Sequence, residues 1–158
     1  MTFRRTLDNI LATFVTILMG VLVINVLWQV ASRYLVGQPS AFTDELAGFL
    51  LIWVGLLGAT YITGKKEHLA IDILHHKLSP EKKRKVDIII NILIALFALA
   101  VLIIGGINLV YITLYLGQIS SALQIPVGYV YLVLPLSGMF IIYYSIFDIV
   151  HPMATLAK

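Results

Sequence analysis

Apolar residues run through this chain in four long blocks separated by shorter polar stretches. The blocks cover about Asn9 to Val30, Leu46 to Thr63, Ile88 to Tyr115 and Val127 to Phe147. A helix that crosses a bilayer needs about 20 predominantly apolar residues, and each block comes close to that length or exceeds it. The pattern predicts an all-α integral membrane protein with four transmembrane helices, in one domain spanning residues 1–158.

Turn and cap residues predict where these helices begin and end. Ser79-Pro80-Glu81 combines an N-cap, a proline at the first helical position and an acid in the first turn. The third helix is therefore expected to begin in water, several residues before it enters lipid. Thr43 is predicted to cap the second helix, with Asp44 and Glu45 in its first turn, where the helix dipole favours acids.

The polar stretch between the second and third blocks contains "EHLAIDILHHKL", Glu67 to Leu78. Leu69, Ile73 and Leu74 fall near one face of a helix, and the histidines and Lys77 fall elsewhere. This pattern predicts a short amphipathic helix that lies in the membrane interface between helices two and three. A solvated loop is the alternative reading of the same residues.

Composition supports lipid as the solvent of this chain. Of its 158 residues, 60% are hydrophobic and only 12% are charged, whereas soluble domains carry about 25% charged residues. Cysteine is absent, which excludes disulfides and Cys-ligated metals. Arg4 and Arg5 precede the first block, but that block is too long for a signal peptide and no A-x-A site follows it.

The distribution of Lys and Arg predicts the orientation. Of the eleven basic residues, Arg33 alone falls outside the N-terminus, the loop of residues 64–87 and the C-terminus. Basic residues concentrate on the cytoplasmic side, so both termini and this basic loop are expected in the cytoplasm. Anionic lipid headgroups would attract the loop by about 1 kcal/mol per basic residue. No nucleic-acid partner is expected, because topology already accounts for the charge.

The blocks contain no ionisable residue at membrane depth, where a catalyst or carrier would need one. The four histidines all fall in the predicted cytoplasmic segments, so a haem held by two histidines inside the bundle is excluded. No nucleophile with its base and no phosphate-binding loop is present. The chain is therefore expected to be neither an enzyme nor a binder of a cofactor or metal.

Candidate contact residues cluster on the second block. Gly48, Gly55 and Ala59 are seven and four residues apart, so they line one helix face and would let another helix approach closely, within this bundle or on a partner. Trp53 lies at mid-span and is expected to pack against protein. Arg33 is on the same side of the membrane as the Asp44–Glu45 pair; these groups could bond to each other, meet a partner, or serve only as caps and anchors.

The chain also resembles a known family. The order is "RYLVGQPSAFTDELAGFLLIWVGLLGAT", then "KKEHLAIDIL", a basic patch and "ALQIPVGYVYLVLPLSG". It is similar over nearly its whole length to the small membrane subunit of tripartite ATP-independent periplasmic (TRAP) transporters, the DctQ-like family. The matching positions are Arg33-Tyr34, Glu45 before Trp53, Gly55 to Ala59, His68, Asp72 and Ile125-Pro126.

The resemblance implies two protein partners. A large multi-span membrane subunit would carry the substrate and sodium, and a periplasmic substrate-binding protein would deliver a C4-dicarboxylate, sialic acid or a similar organic acid. This chain would then be a scaffold. Two alternatives stay open: a self-sufficient, proton-coupled four-helix carrier that uses Glu45 as its carboxylate, and a membrane assembly protein with no transport role.

Overall fold

The computed structural model of the protein describes residues 2–35, 37, 40–65 and 80–150. Four helical stretches in this part are long and apolar enough to cross a membrane: Arg4–Leu35, Ala41–Lys65, Arg84–Tyr115 and Val127–Val150. The predicted fold class and its four spans are confirmed, and the helices extend beyond the apolar blocks at several ends. The predicted interfacial helix lies outside the described residues, as do His68 and Asp72.

The first two spans are continuous helices joined by a short connection. Helix α1 covers Thr2–Leu35 and helix α2 covers Ala41–Lys65. The Ser40 hydroxyl accepts a hydrogen bond from the Thr43 amide at 3.4 Å, and the Ser40 carbonyl accepts from the Asp44 amide at 3.2 Å. Ser40 is therefore the N-cap of α2. The prediction that Thr43 caps this helix is wrong, because the helix begins two residues before it.

The third span changes its helical winding halfway. Helix α3 covers Pro80–Phe97, a π-helical segment covers Ala98–Gly105, and helix α4 covers Gly106–Tyr115. The start at Pro80, ahead of the apolar block, agrees with the predicted beginning. Ala98, Leu102 and Gly106 are buried at four-residue intervals. Because a π-helix has more residues per turn than an α-helix, it keeps these three positions closer to one line.

The fourth span is interrupted near its beginning. Helix α5 covers Val127–Tyr131 and helix α6 covers Val133–Val150, with Leu132 between them. Pro135 lies in the first turn of α6, where its missing amide hydrogen is tolerated. In the most apolar window of this span 39% of the residues are buried, against 6–11% in the other three. The fourth span is therefore the centre of the bundle.

The helices pack in the order α1, α2, α6 and the third span, with α6 between α2 and the third span. On α1 the side facing α2 is formed by residues at alternating steps of mainly three and four, which is the spacing of a coiled-coil seam. These seam residues are Leu7, Leu11, Val15, Leu18, Leu22, Asn25, Gln29 and Ser32. The opposite side of α1 is exposed and apolar, as lipid-facing surface is.

Glycines permit close contacts between the third span and α6. A Cβ at Gly106 would lie 2.9 Å from Leu134 Cβ, and one at Gly138 would lie 2.9 Å from Leu102 Cβ. Side chains cannot approach so closely, so only glycine fits at either position. Small-residue packing of the kind predicted for α2 therefore occurs in this bundle at a different pair of helices.

Candidate functional site

A carboxylate on α2 fastens the connection between α4 and α5. One oxygen of Glu45 accepts hydrogen bonds from the Ser120 hydroxyl, from the Ala122 amide at 2.9 Å and from the Leu123 amide at 3.2 Å. Two of these donors are consecutive backbone amides, which turn toward the anion as in an anion-binding nest. Glu45 and these three residues are called the Glu45 latch below.

The loop held by the latch also closes on itself. The Ser120 amide donates to the Ile125 carbonyl at 3.0 Å, and the Val127 amide donates to the Gln118 carbonyl at 3.0 Å. Gln124 takes a positive φ of 56° to complete the turn, a conformation that a non-glycine side chain rarely adopts. The latch therefore joins a preformed turn to the beginning of α2 and fixes the third and fourth spans against it.

A second polar cluster fastens the opposite end of the bundle. Arg4 Nη1 lies 2.7 Å from Asp148 Oδ1, and Arg4 Nη2 donates to the Gly64 carbonyl at 2.7 Å. The Tyr144 hydroxyl donates to Asp8 Oδ1 at 2.6 Å. These five residues, Arg4, Asp8, Gly64, Tyr144 and Asp148, are called the Arg4 clamp. The clamp joins α1, the end of α2 and the end of α6.

The clamp is largely dry. The Asp148 side chain is only 2% exposed and that of Arg4 is 16% exposed. Removing one partner of such an ion pair leaves an uncompensated charge in a poorly solvated place, which is strongly destabilising. Arg4 also lies over the Phe147 ring at 4.7 Å, so its guanidinium keeps a cation–π contact in addition to the charged one.

Trp53 fastens the middle of the bundle. Its indole Nε1–H donates to the Val130 carbonyl at 3.0 Å, and its ring lies edge-on to Phe14 at 6.5 Å. Val130 is in the last turn of α5, where carbonyl groups have no intrahelical donor. Trp53 therefore satisfies a backbone group that the interruption of the fourth span leaves open, and its predicted packing against protein agrees with this position.

Of the three options for Arg33 and the acids of α2, pairing with each other does not occur in the described structure. Arg33 is exposed, Glu45 belongs to the latch, and Asp44 accepts a hydrogen bond from Gln29 Nε2 at 2.7 Å. Gln29 is on the α1 seam, whereas Arg33 is one position beyond the seam residue Ser32 and is exposed. Contact with a partner and a role as an anchor remain the options for Arg33.

The small-residue stripe of α2 faces outward. Gly48, Gly55 and Ala59 are exposed, and no atom lies within 4 Å of a Cβ built at either glycine. The prediction that the three share one helix face holds. The option that this face packs within the bundle is wrong for the part of the chain that the structure describes. Contact with a partner remains the prediction.

Sequence reasoning missed the clamp. Topology accounted for Arg4 and Arg5, and no role was predicted for Asp8 or Asp148. One signal was available: Asp148 directly follows a stretch of 60 residues, Ile88 to Phe147, without a charge. An acid is also unfavourable near a helix C-terminus, so its position required a cation from elsewhere in the chain.

Chemically, the latch, the clamp and Trp53 all join one helix to another. Within the described residues no group of three or more His, Asp or Glu side chains is placed to hold a metal ion. Helices fastened at both ends, surrounded by an apolar outer surface, define a multi-pass helical membrane protein. Its principal polar groups hold the helices of the bundle together.

The chain belongs to the DctQ component family of tripartite ATP-independent periplasmic transporters, whose model matches residues 22–155. It is 30% identical over 138 residues to the sialic acid TRAP transporter small permease protein SiaQ of Vibrio cholerae, covering 82% of this chain and 79% of that protein. The protein is thus a small permease subunit of a TRAP transporter, and the expectation that it is not an enzyme is confirmed by its family.

Two further relatives are much longer proteins. The chain is 42% identical over 57 residues to the sialic acid TRAP transporter permease protein SiaT of Haemophilus influenzae, covering 36% of this chain and 9% of that protein. It is 30% identical over 98 residues to the isethionate TRAP transporter permease protein DctMQ of Oleidesulfovibrio alaskensis, covering 62% of this chain and 15% of that one. In both relatives the matching sequence is a small part of a larger permease.

Proposed function

We propose that this subunit is the scaffold of a sodium-coupled, binding-protein-dependent transporter that takes up an organic acid such as a C4-dicarboxylate or sialic acid. Sodium and substrate would bind to a separate large membrane subunit, and a periplasmic protein would deliver the substrate. The observation that carries the proposal is the family match over residues 22–155. The acids named by the relatives, sialic acid and isethionate, support an anionic solute.

The geometry supports a scaffold over a self-sufficient carrier. A proton-coupled carrier needs a carboxylate that alternates between two sides of the membrane, and Glu45 was its candidate. Glu45 is instead engaged by three donors of a closed turn at one end of the bundle. A carboxylate held in this way has a structural role, because releasing it would leave two backbone amides without an acceptor.

The proposed orientation places both termini and the basic loop of residues 64–87 in the cytoplasm of a bacterial or archaeal cell. In this orientation the Arg4 clamp is near the cytoplasmic surface and the Glu45 latch near the periplasmic one. The support is the distribution of Lys and Arg. Anionic headgroups would bind the basic loop, and the periplasmic protein would meet the transporter on the side of the latch.

The test is uptake into proteoliposomes from which each component is omitted in turn. The small subunit alone is expected to move no organic acid, whereas the small subunit, its large partner and the binding protein together should show uptake driven by a sodium gradient. Glu45→Gln is expected to reduce that uptake only partly, because the amide oxygen still accepts hydrogen bonds from the turn. Flux from the small subunit alone, abolished by Glu45→Gln, would establish a carrier and refute the scaffold. Co-purification without any uptake would favour the assembly protein.

A further inference from the structure

Asn108 is an amide side chain that lies well inside the third span. It lies in α4, seven residues before Tyr115, which places it about 10 Å from the end of that helix. Its side chain is exposed and forms no hydrogen bond with the described residues. Asn25, Gln29 and Asn91 each donate one.

The carboxamide of Asn108 points away from its own bundle. Gly106 and Thr113 are the buried residues of α4, and successive α-helical residues are rotated by about 100°. Asn108 is therefore about 200° from Gly106 and about 140° from Thr113 around the helix. The outward face of α4 carries the polar group, whereas a helix adapted to lipid alone would carry apolar residues there.

A carboxamide in hydrocarbon has two N–H donors and one acceptor and finds no water to bond. Membrane helices satisfy such groups by hydrogen bonds to a neighbouring helix. The residues around Asn108 suit this contact. Gly105 is exposed, and a Cβ built there would meet only its own helix, Ala100 O at 3.6 Å, so a second backbone can approach closely beside the amide.

Large side chains complete the same surface. Ile104 and Ile112 are 61% and 43% exposed, and the exposed Tyr111 ring stacks on that of Tyr115 at 5.9 Å. The Asn108 face is defined as Ile104, Gly105, Asn108, Tyr111 and Ile112. It combines a gap, a hydrogen-bonding group and flanking apolar side chains, as helix–helix interfaces in membranes do.

We propose that the Asn108 face docks a transmembrane helix of the large permease subunit, and that Asn108 donates a hydrogen bond to a carbonyl or hydroxyl group on that helix. This inference rests on the proposed function. The large subunit is chosen as the occupant because two relatives carry the matching sequence inside a much longer permease chain, of which it is 9% and 15%. The Asn108 amide needs a hydrogen-bonding helix beside it at all times. A permease subunit that is part of the same chain in those relatives would provide one.

The experiment measures how tightly the tagged small subunit retains its large subunit in detergent, for the wild type and four variants. Asn108→Leu removes the amide, and Asn108→Gln keeps a carboxamide. Gly105→Leu fills the gap, and its matched control Gly20→Leu changes another exposed glycine with no atom within 4 Å of its built Cβ. Unfolding of each small subunit alone is measured in parallel.

Asn108→Leu is expected to weaken retention about 5- to 30-fold, the change that about 1–2 kcal/mol for an interhelical hydrogen bond produces. Asn108→Gln should recover part of this loss. Gly105→Leu should also weaken retention, while Gly20→Leu should not. Without the large subunit, each of the four variants should be at least as stable to unfolding as the wild type. Wild-type retention by both Asn108→Leu and Gly105→Leu would refute the proposal.

A photo-crosslinking amino acid at Ile112 identifies the neighbour directly. The expected product is an adduct whose mass contains a peptide of the large subunit. An adduct with a second copy of this chain, or none in the intact transporter, would overturn the proposed occupant. Failure of the proposed function is distinguishable, because the wild-type subunit would then retain no large subunit at all.

Discussion

Gly64→Ala tests the Arg4 clamp with the smallest available change. The added Cβ would lie 2.8 Å from Tyr144 Cζ and 2.9 Å from its Cε1. Carbon atoms in contact are normally about 3.5–4.0 Å apart, so the ring would have to move by nearly 1 Å. Tyr144 is fully buried and its hydroxyl bonds Asp8 at 2.6 Å. The shift would therefore break or strongly weaken that bond.

Three contributions set the size of the effect. Overpacking costs about 1–3 kcal/mol, and losing a hydrogen bond to a carboxylate costs about 1.5–3 kcal/mol. Alanine returns about 0.5–1 kcal/mol, because it restricts the unfolded chain more than glycine does. Gly64→Ala should therefore lower the free energy of unfolding by about 1.5–5.5 kcal/mol.

The assay is equilibrium unfolding of the purified subunit in mixed micelles with increasing denaturing detergent. Gly58→Ala is the matched control on the same helix, since no atom lies within 4 Å of its built Cβ, and it should be neutral or slightly stabilising. In a Tyr144→Leu background, Gly64→Ala should lose its cost. If Gly64→Ala behaved like Gly58→Ala, or if Tyr144→Leu gave no relief, the reasoning about the clamp would be wrong.

Three more outcomes follow from the structure. Trp53→Phe should lower the unfolding free energy by about 1 kcal/mol, because the Val130 carbonyl loses its donor; unchanged unfolding would contradict this. In the cysteine-free chain, an impermeant reagent applied to intact cells should label a cysteine at Ser121 but not one at Lys65; the reverse would invert the proposed topology. Gly55→Leu should leave unfolding of the subunit alone unchanged but reduce retention of the large subunit, and full retention would remove the α2 stripe as an interface.

The number of spans could be predicted because each block is long enough for one helix and is bounded by turn residues. Periodicity within the blocks was less informative. A lipid-facing side and a protein-facing side are both apolar, so the sequence alone does not tell which face of a helix is covered. This is why Gly48 and Gly55 were expected to pack while the contacts at Gly106 and Gly138 were missed.

The polar clusters were hidden for a different reason. Glu45 was selected as a site residue on its resemblance to a family position, but its partners are 75 or more residues away. Two of them are backbone amides, and the type of a residue does not indicate which group its backbone amide will bond. The π-helical segment between α3 and α4 could not be predicted either, because it has the same apolar composition as the helices on either side. Residues 66–79 lie outside the described part of the chain, so the interfacial helix stays a prediction there.

The Arg4 clamp has a consequence for the order of events during synthesis. Arg4 and Asp148 are 144 residues apart in sequence, so a ribosome that adds about 5–20 residues per second needs roughly 7–30 s to supply the second partner after the first. Throughout that interval Arg4 lacks Asp148 as its partner, and its guanidinium is left to water and lipid headgroups. The clamp can therefore close only after the fourth span has been made and inserted. A chain that ends before Asp148 therefore lacks the contact that joins its first span to its last.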